Sequence, residues 1–509
     1  MKQRSTVRHM TSNRNSELWK ELPWKKFRKI LFRLQCRLWK AMRARDNKRV
    51  KNLQKLILKS RSARLLAIRQ VTQLNIGAKT AGIDGKVALS FKERLELDQL
   101  LKAEVYKWKH QKLRKVPIPK KDGTKRILKI PTISDRAWQC LIKYAIEPAH
   151  EATFHERSYG FRPGRSTHDC QKIIQNNLAS NKNGINKRIL ELDIEKCFDR
   201  IHHGSIMCRV IAPRLIKAGL WRCLKSGTEI EFPEQGTPQG GVISPLLANI
   251  ALNGIEKIHP SVRYADDMVC FIKPGENPNH VLLEIEKFLK ARGLRIKVSK
   301  TKLVDSTEGF NFLGWHFYVQ SNGKFRSVPS KENFQKFRQK VKTIVNNSNY
   351  GALIKAIKLA PVVRGWRNYH RYCKMDGSKF SLWFMNKRAN RVFRKESKVN
   401  REKAKELCKK AFPAVPYKEN AFVSVKGDAS PFDGNVIYWS ERNSKYYDGV
   451  TAKTLKKQNH SCSHCGLRFN DEEKVHLHHI NGNHNDWKQE NLLAVHQSCH
   501  QYIHMGKGK

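Results

Sequence analysis

Apolar residues recur at helical spacing over residues 17–72, where Leu31, Leu34, Leu38, Leu53, Leu56, Leu58 and Leu65 are interleaved with Lys and Arg. That spacing predicts a basic amphipathic helix pair. Further on the pattern shortens. Val116-Pro117-Ile118-Pro119 and the segment Lys125-Arg126-Ile127 flank Asp122-Gly123, which predicts a hairpin with a tight turn. Leu190-Glu191-Leu192-Asp193 reads as a strand tipped by a carboxylate. Val262 on one side and Met268, Val269, Cys270 and Phe271 on the other read as two short strands around Tyr264-Ala265-Asp266-Asp267. A helix is predicted to start near Ser244-Pro245, with Pro in its first turn. Residues 330–412 return to a basic, aromatic-containing helical pattern, with Trp366, Tyr369 and Tyr372 at helical spacing. Residues 413–458 carry Pro, Gly, Asp and Ser among aromatics and read as a linker with a small element of undetermined fold.

Charge changes this picture most. Lys and Arg total 100 against 44 Asp and Glu in 509 residues, a formal net charge of +56. Such an excess calls for a polyanionic partner, and nucleic acid fits it, with strongly salt-dependent binding. A polybasic membrane-surface protein is the competing class. There is no apolar run of about twenty residues and no apolar amino-terminal core, so no membrane partner is expected. The length suits about three to four domains. Of the twelve cysteines, all but Cys462, Cys465 and Cys499 are scattered. That suits reduced thiols in a cytosol-like compartment plus one metal site. A bacterial cytoplasmic location follows, with an organelle as the alternative because residues 1–16 are basic and Ser/Thr-rich.

Two adjacent carboxylates at a strand tip have no packing use, since each is costly to desolvate. They make sense around a divalent cation. Magnesium takes oxygen ligands and is usually held by one or two carboxylates plus phosphates. Asp193 and Asp266 are thus placed to clamp two Mg²⁺ about 4 Å apart for displacement at phosphorus. Lys125 and Arg126, on the returning strand of the hairpin, suit a triphosphate, the Arg as a bidentate donor. Arg162 and Arg165 in Ser158-Tyr159-Gly160-Phe161-Arg162-Pro163-Gly164-Arg165-Ser166 suit template phosphates, the alternative being a structural turn. Gly240 and Gly241 beside Gln239 allow close backbone approach to a base pair or phosphate.

Asp193 followed by Phe198, the Tyr-Ala-Asp-Asp turn, Pro238-Gln239-Gly240 with Ser244-Pro245, and Gly293-Leu294 to Lys300-Thr301 resemble the palm of reverse transcriptases. The Gly-rich loop Asn75–Gly85 resembles the extra amino-terminal motif of enzymes from mobile group II introns. The stretch Arg364-Gly365-Trp366-Arg367-Asn368-Tyr369-His370-Arg371-Tyr372 resembles their thumb and maturase region. The resemblance implies that Asp193, Asp266 and Asp267 are catalytic and bind Mg²⁺. It also implies that Phe198 walls off a ribose 2′-hydroxyl, that Gln239 and Lys300 help bind the nucleotide, and that Arg364, Arg367 and Arg371 face RNA. Packing in the core is the plainer reading of Phe198 and of the aromatic stripe.

Near the end, Cys462-x-x-Cys465 and His496-x-x-Cys499 have the spacing of a closed four-ligand zinc site. The histidines between and after them, in His476-Leu477-His478-His479 and at His500, exceed what a structural site needs. They resemble the HNH nuclease fold, a two-stranded ribbon and helix around one catalytic metal. That implies His479 as general base, Asn491 holding the ribbon turn or orienting the base, and His478 and His500 holding one Mg²⁺-like ion. His504 is a further candidate ligand, and His476 and His484 are bystanders. Many family members carry Cys where His496 stands, so its place in the zinc site rests on spacing.

The expected chain is an α+β multidomain protein. It comprises a basic helical extension (1–74), right-hand reverse transcriptase fingers and palm (75–325), an α-helical thumb and maturase domain (326–412), a DNA-binding region and linker (413–458) and a ββα-metal HNH zinc module (459–509). Its expected roles are RNA-directed DNA polymerase, splicing maturase and target-strand endonuclease in intron retrohoming. The partners are intron RNA held as a lariat ribonucleoprotein, target DNA and deoxynucleotides, with homodimerisation left open. The rivals are a splicing cofactor without polymerase activity and a reverse transcriptase of another bacterial retroelement.

Overall fold

The computed structural model describes residues 18–505, except 88, 120–122, 124, 228–232, 376–379, 398–399, 445–446, 448, 470–473 and 485. The basic stretch 1–16, Asp122 of the expected hairpin turn and Tyr446 therefore lie outside the described residues.

At the centre is a four-stranded antiparallel sheet in the order β4-β5-β3-β6, built from β3 (Arg188–Asp193), β4 (Ser261–Tyr264), β5 (Asp267–Ile272) and β6 (Lys302–Asp305). Strand side chains alternate between faces. Leu190, Leu192, Met268, Cys270 and Ile272 therefore enter one core, while Ile189, Val269 and Phe271 enter a second. Burial on both faces explains why β5 reads as an unbroken apolar run and not as an alternating one.

The first core also takes in the amino-terminal segment. Where the periodicity predicts a helix pair, three helices form, Trp24–Arg43, Asn47–Lys59 and Arg61–Arg69. The chain breaks at Asp46 and Ser60, whose side chains accept from the backbone N–H groups of Arg49 and Ala63 and cap the next helix. Leu31, Leu38, Leu53, Leu58 and Leu65 are buried against the helix Ile133–Glu151, whereas Leu56 is exposed. The extension is thus built into the core beneath the central sheet.

The hairpin forms from β1 (Arg114–Pro119) and β2 (Lys125–Ile130), with Pro119 opposite Lys125. The second core continues into a three-stranded sheet of β7 (Phe310–Phe312), β8 (Trp315–Val319) and β9 (Phe325–Pro329). A third core lies among the helices Lys331–Val345, Ala352–Tyr369, Trp383–Ser397 and Arg401–Ala411.

Residues 413–458 are more than a linker. They form helices Val436–Ser444 and Gly449–Lys457 and strap back onto the body of the protein. The fully buried carboxylate of Asp169 accepts from Arg442 Nη2 and from the Val425 N–H, each at 2.7 Å. Arg43 pairs with Asp428 at 2.6 Å. Pattern alone missed this because the contacts are polar and span more than 250 residues. The small carboxyl-terminal unit is a ribbon of β10 (Val475–His479) and β11 (Leu492–His496) followed by the helix Gln497–Met505, with a fourth core of its own.

Candidate functional site

The register of the central sheet brings the palm carboxylates together. Asp193, last in β3, lies opposite Asp267, first in β5, and Tyr264 of β4 pairs with the same residue. The turn between β4 and β5 places Ala265 at φ 60°, a left-handed conformation that costs a residue with a Cβ roughly 1–2 kcal/mol. Its surroundings hold it there. Arg263, fully buried, donates to the Ala265 carbonyl at 2.8 Å, to Glu256 Oε1 at 2.6 Å, to Asn249 Oδ1 at 3.0 Å and to Ser158 Oγ at 2.6 Å. Asn249 in turn donates to the Gly160 carbonyl at 2.8 Å. Gly160 backs directly onto the turn, where any Cβ would collide with the Ala265 nitrogen. In the sequence, Ser158 and Gly160 stand only as part of the stretch that carries Arg162 and Arg165. Their role in seating the acidic turn depends on long-range contact.

The electrostatics follow from this crowding. Asp267 lies at the exposed tip, yet surrounding protein desolvates its carboxyl. That burial, and then the charges of Asp266 and Asp193, push it up to about 6. Asp266 is raised above the ordinary carboxylate range, again by desolvation first. Lys300 pairs with Asp193 at 2.5 Å, and that hydrogen bond raises its ammonium above the usual value. Three carboxylates raised or paired at one strand end form a hard-oxygen donor set that fits Mg²⁺.

Close by, Arg126 hydrogen-bonds Gln239 Oε1, and Gln239 Nε2 donates to Asp199 Oδ1 at 2.8 Å. Lys125 is exposed at the start of β2. Phe198 is half-buried, and Phe161 meets it edge-on with ring centroids 6.1 Å apart. Phe161 is 52% exposed and sits at φ 59°. A large aromatic ring in that backbone region and in solvent has no packing explanation. Neither Phe161 nor Asp199 was singled out by the sequence.

The structure corrects one expectation outright. Arg162 does not face a template, because its guanidinium is buried in an ion pair with Glu151 at 2.9 Å and donates to the carbonyls of His155 and Ser158. Its place is in the fold. Arg165 is half-buried and donates to the Ala429 carbonyl at 3.2 Å. On the helix Ala352–Tyr369, Arg364 is exposed, while Arg367 donates to the Pro413 carbonyl at 2.8 Å. Arg371 lies 5.3 Å from the Tyr372 ring. Trp366 stacks on Phe337 and Tyr369 on Trp315, each pair at 4.5 Å, so those two members of the aromatic stripe pack in the interior.

In the carboxyl-terminal unit the donor atoms of Cys462, Cys465, His496 and Cys499 all lie within 4.8 Å of one another, with all four residues buried. Three sulfurs and one imidazole form a soft donor set that fits tetrahedral Zn²⁺. His478, His500 and His504 form a second cluster of the same tightness. The neighbouring His479 lies instead beside His484 and Trp487, with ring centroids at 5.0 and 5.1 Å, and its Nε2 is buried with no hydrogen-bond partner among the described residues. Asn491 accepts from the Asn481 N–H at 2.9 Å and donates to the Asp486 carbonyl at 3.0 Å, closing the loop between β10 and β11.

Among the described residues no helix is long and apolar enough to cross a membrane. Comparison with known families matches residues 19–101 to the N-terminal domain of reverse transcriptase and 118–317 to reverse transcriptase (RNA-dependent DNA polymerase). Residues 334–411 match the maturase-specific domain of group II introns. The chain is 42% identical over 391 residues to maturase-like protein 1 of Euglena gracilis, covering 76% of this chain and 85% of that protein. It is 31% identical to protein YkfC of Escherichia coli K12, covering 50% of this chain and 80% of that one. Against the group II intron-encoded protein LtrA of Lactococcus lactis the identity is 35%, over 36% of this chain and 31% of LtrA. With the acidic strand tips seated in a palm sheet and a maturase domain directly after it, the chain belongs to the reverse transcriptases and maturases of the group II intron type.

Proposed function

We propose that the protein serves a mobile group II intron in three ways: it copies RNA into DNA at the palm, binds its intron RNA to support splicing, and nicks target DNA with its carboxyl-terminal module to supply a primer. The observation that carries the polymerase reading is the convergence of Asp193, Asp266 and Asp267 at one end of β3 and β5. These carboxylates would hold Mg²⁺, which when bound would activate the primer 3′-hydroxyl and neutralise the leaving pyrophosphate. The chain's own groups do the positioning. Arg126 is fixed by Gln239, which Asp199 orients, and so presents its guanidinium to a triphosphate. Phe198 walls the sugar edge, and Phe161 braces that ring from the side.

Phe198→Ala is expected to lower the preference for a deoxynucleotide over the matching ribonucleotide by about 10- to 200-fold, read as the ratio of the two kcat/KM values. Phe161→Ala is expected to lower it by a few-fold, since an edge-to-face contact contributes about 0.5–1.5 kcal/mol. An unchanged ratio in Phe198→Ala removes the sugar-wall role.

Protons and cations compete at the acidic tip. With its pKa raised to about 6, Asp267 is ionised at pH 8 and takes up a proton as the pH falls through 6. The Mg²⁺ concentration for half-maximal extension is therefore expected to be flat from pH 8 to 7. Below pH 6 it is expected to rise by about tenfold per unit, one proton being displaced per ion. A flat dependence down to pH 5.5 rules out Asp267 as a ligand.

For the nuclease, the supporting features are the cluster of His478, His500 and His504 and the buried Nε2 of His479, which has no hydrogen-bond partner among the described residues. His479 suits a general base, and Asn491 keeps its loop in place. In a reaction of the ribonucleoprotein with target DNA, His479→Ala is expected to reduce nicking of the strand opposite the insertion by 10²–10⁴-fold. Extension of a pre-annealed primer is expected to be unaffected. Undiminished nicking assigns the base elsewhere.

A further inference from the structure

The cysteine centre touches a part of the chain far from it in sequence. Arg28, on the amino-terminal helix Trp24–Arg43, points Nη2 at Cys465 Sγ from 3.6 Å and at Cys499 Sγ from 3.9 Å. The Lys25 ammonium stands beside the same knuckle, 3.4 Å from where a Cβ on Gly466 would lie. Around these contacts Trp19, Trp24, His464 and Tyr502 line a cleft of about 380 Å³ between helix and module.

A guanidinium needs an acceptor worth its desolvation, and a neutral thiol is a weak one. Three thiolates cannot stand this close without a cation. With Zn²⁺ bound, three thiolates and a neutral His496 leave the centre one net negative charge, spread over the sulfurs. Arg28 matches that charge with charge-assisted N–H···S bonds. Without the metal the three sulfurs are no longer drawn together, and the paired acceptors that Arg28 meets disperse. Coupling of this kind is reciprocal: whatever zinc adds to docking, docking adds to zinc affinity.

We propose that the Cys462, Cys465, His496 and Cys499 centre is a zinc-dependent latch that fastens the carboxyl-terminal module to the amino-terminal helix through Arg28, with Lys25 as a second cation. The proposal rests on the zinc reading of the centre and goes beyond it. Zinc then does two things, folding the module and fixing its position against the polymerase body. Loss of the metal frees the nuclease from the polymerase without touching either set of catalytic residues.

The test uses the full chain as wild type, Arg28→Met and Arg28→Lys. Zinc content is measured first, then zinc retention against a competing chelator, then hydrogen exchange along residues 24–43 with and without zinc. The expected result is one zinc per wild-type chain, about tenfold weaker retention in Arg28→Met, and an intermediate value in Arg28→Lys. Stripping zinc from the wild type is expected to speed exchange in the helix turn around Arg28, and to change it little in Arg28→Met. Should Arg28→Met fail to fold, Arg28→Lys and the stripped wild type decide. A wild type without zinc overturns both the zinc reading and the latch. Zinc held equally tightly by all three, with exchange at residues 24–43 indifferent to the metal, overturns the latch alone.

Discussion

Asp266→Ala is expected to reduce RNA-templated primer extension by on the order of 10³-fold or more, the scale seen when a charge partner of a transition state is removed. Binding of intron RNA is expected to stay within about twofold, a change of under half a kcal/mol. The two effects separate because Asp266 lies on a two-strand turn whose fold is held by neighbours, above all Arg263, and not by its own carboxylate. Removing the carboxylate also relieves crowding with Asp193 and Asp267, so the variant is expected to fold at least as well as the wild type. Primer extension with deoxynucleotides on an RNA template, beside filter binding of the intron RNA, reads both quantities. Extension surviving in the variant displaces the catalytic centre from the palm. Loss of RNA binding along with extension overturns the division of labour between palm and maturase domain.

The second large effect is expected from Arg263→Met. Arg263 is fully buried, and four protein groups accept from it. Removing one partner of a buried ion pair leaves Glu256 charged and unmatched, a loss of about 3–5 kcal/mol. Urea unfolding measures that. Extension is expected to fall as well, because the left-handed Ala265 loses the donor that fixes its carbonyl. A second substitution separates the causes. Arg263→Met with Glu256→Leu is expected to recover most of the stability, the unmatched charge being gone, but not the activity. Full recovery of extension in the double variant denies Arg263 any part in seating the acidic turn.

How much of this was legible beforehand differs by element. Asp193, Asp266 and Asp267 could be read because strand patterning and adjacent carboxylates are local signals, and register then brings them together without further information. The same holds for the ribbon-and-helix unit, where Cys and His spacing is nearly the whole specification. Arg162 was misplaced because a basic residue in a turn gives no sign of Glu151, which lies on a different element and takes its charge. Arg28 was illegible for a similar reason, its sulfur partners being 437 and 471 residues away. Among so many cations, charge alone cannot mark the few that the fold consumes. Leu56 shows the converse limit, since helical spacing put it on the apolar stripe while tertiary packing left it in solvent.

The strap formed by residues 413–458 bears on where this chain can be shortened. A cut after 412 looks natural, since the maturase helices end there, but it takes away Arg442 and the Val425 amide together. Asp169 would then keep its bonds from Ser166 at the start of the helix Thr167–Leu178 but lose its guanidinium partner, against the core that supports β5. A cut after the helix Val436–Ser444 keeps both contacts, so the body of the protein depends on a segment that reads in the sequence as a linker. A shortened form of this chain would have to keep that segment or first replace Asp169.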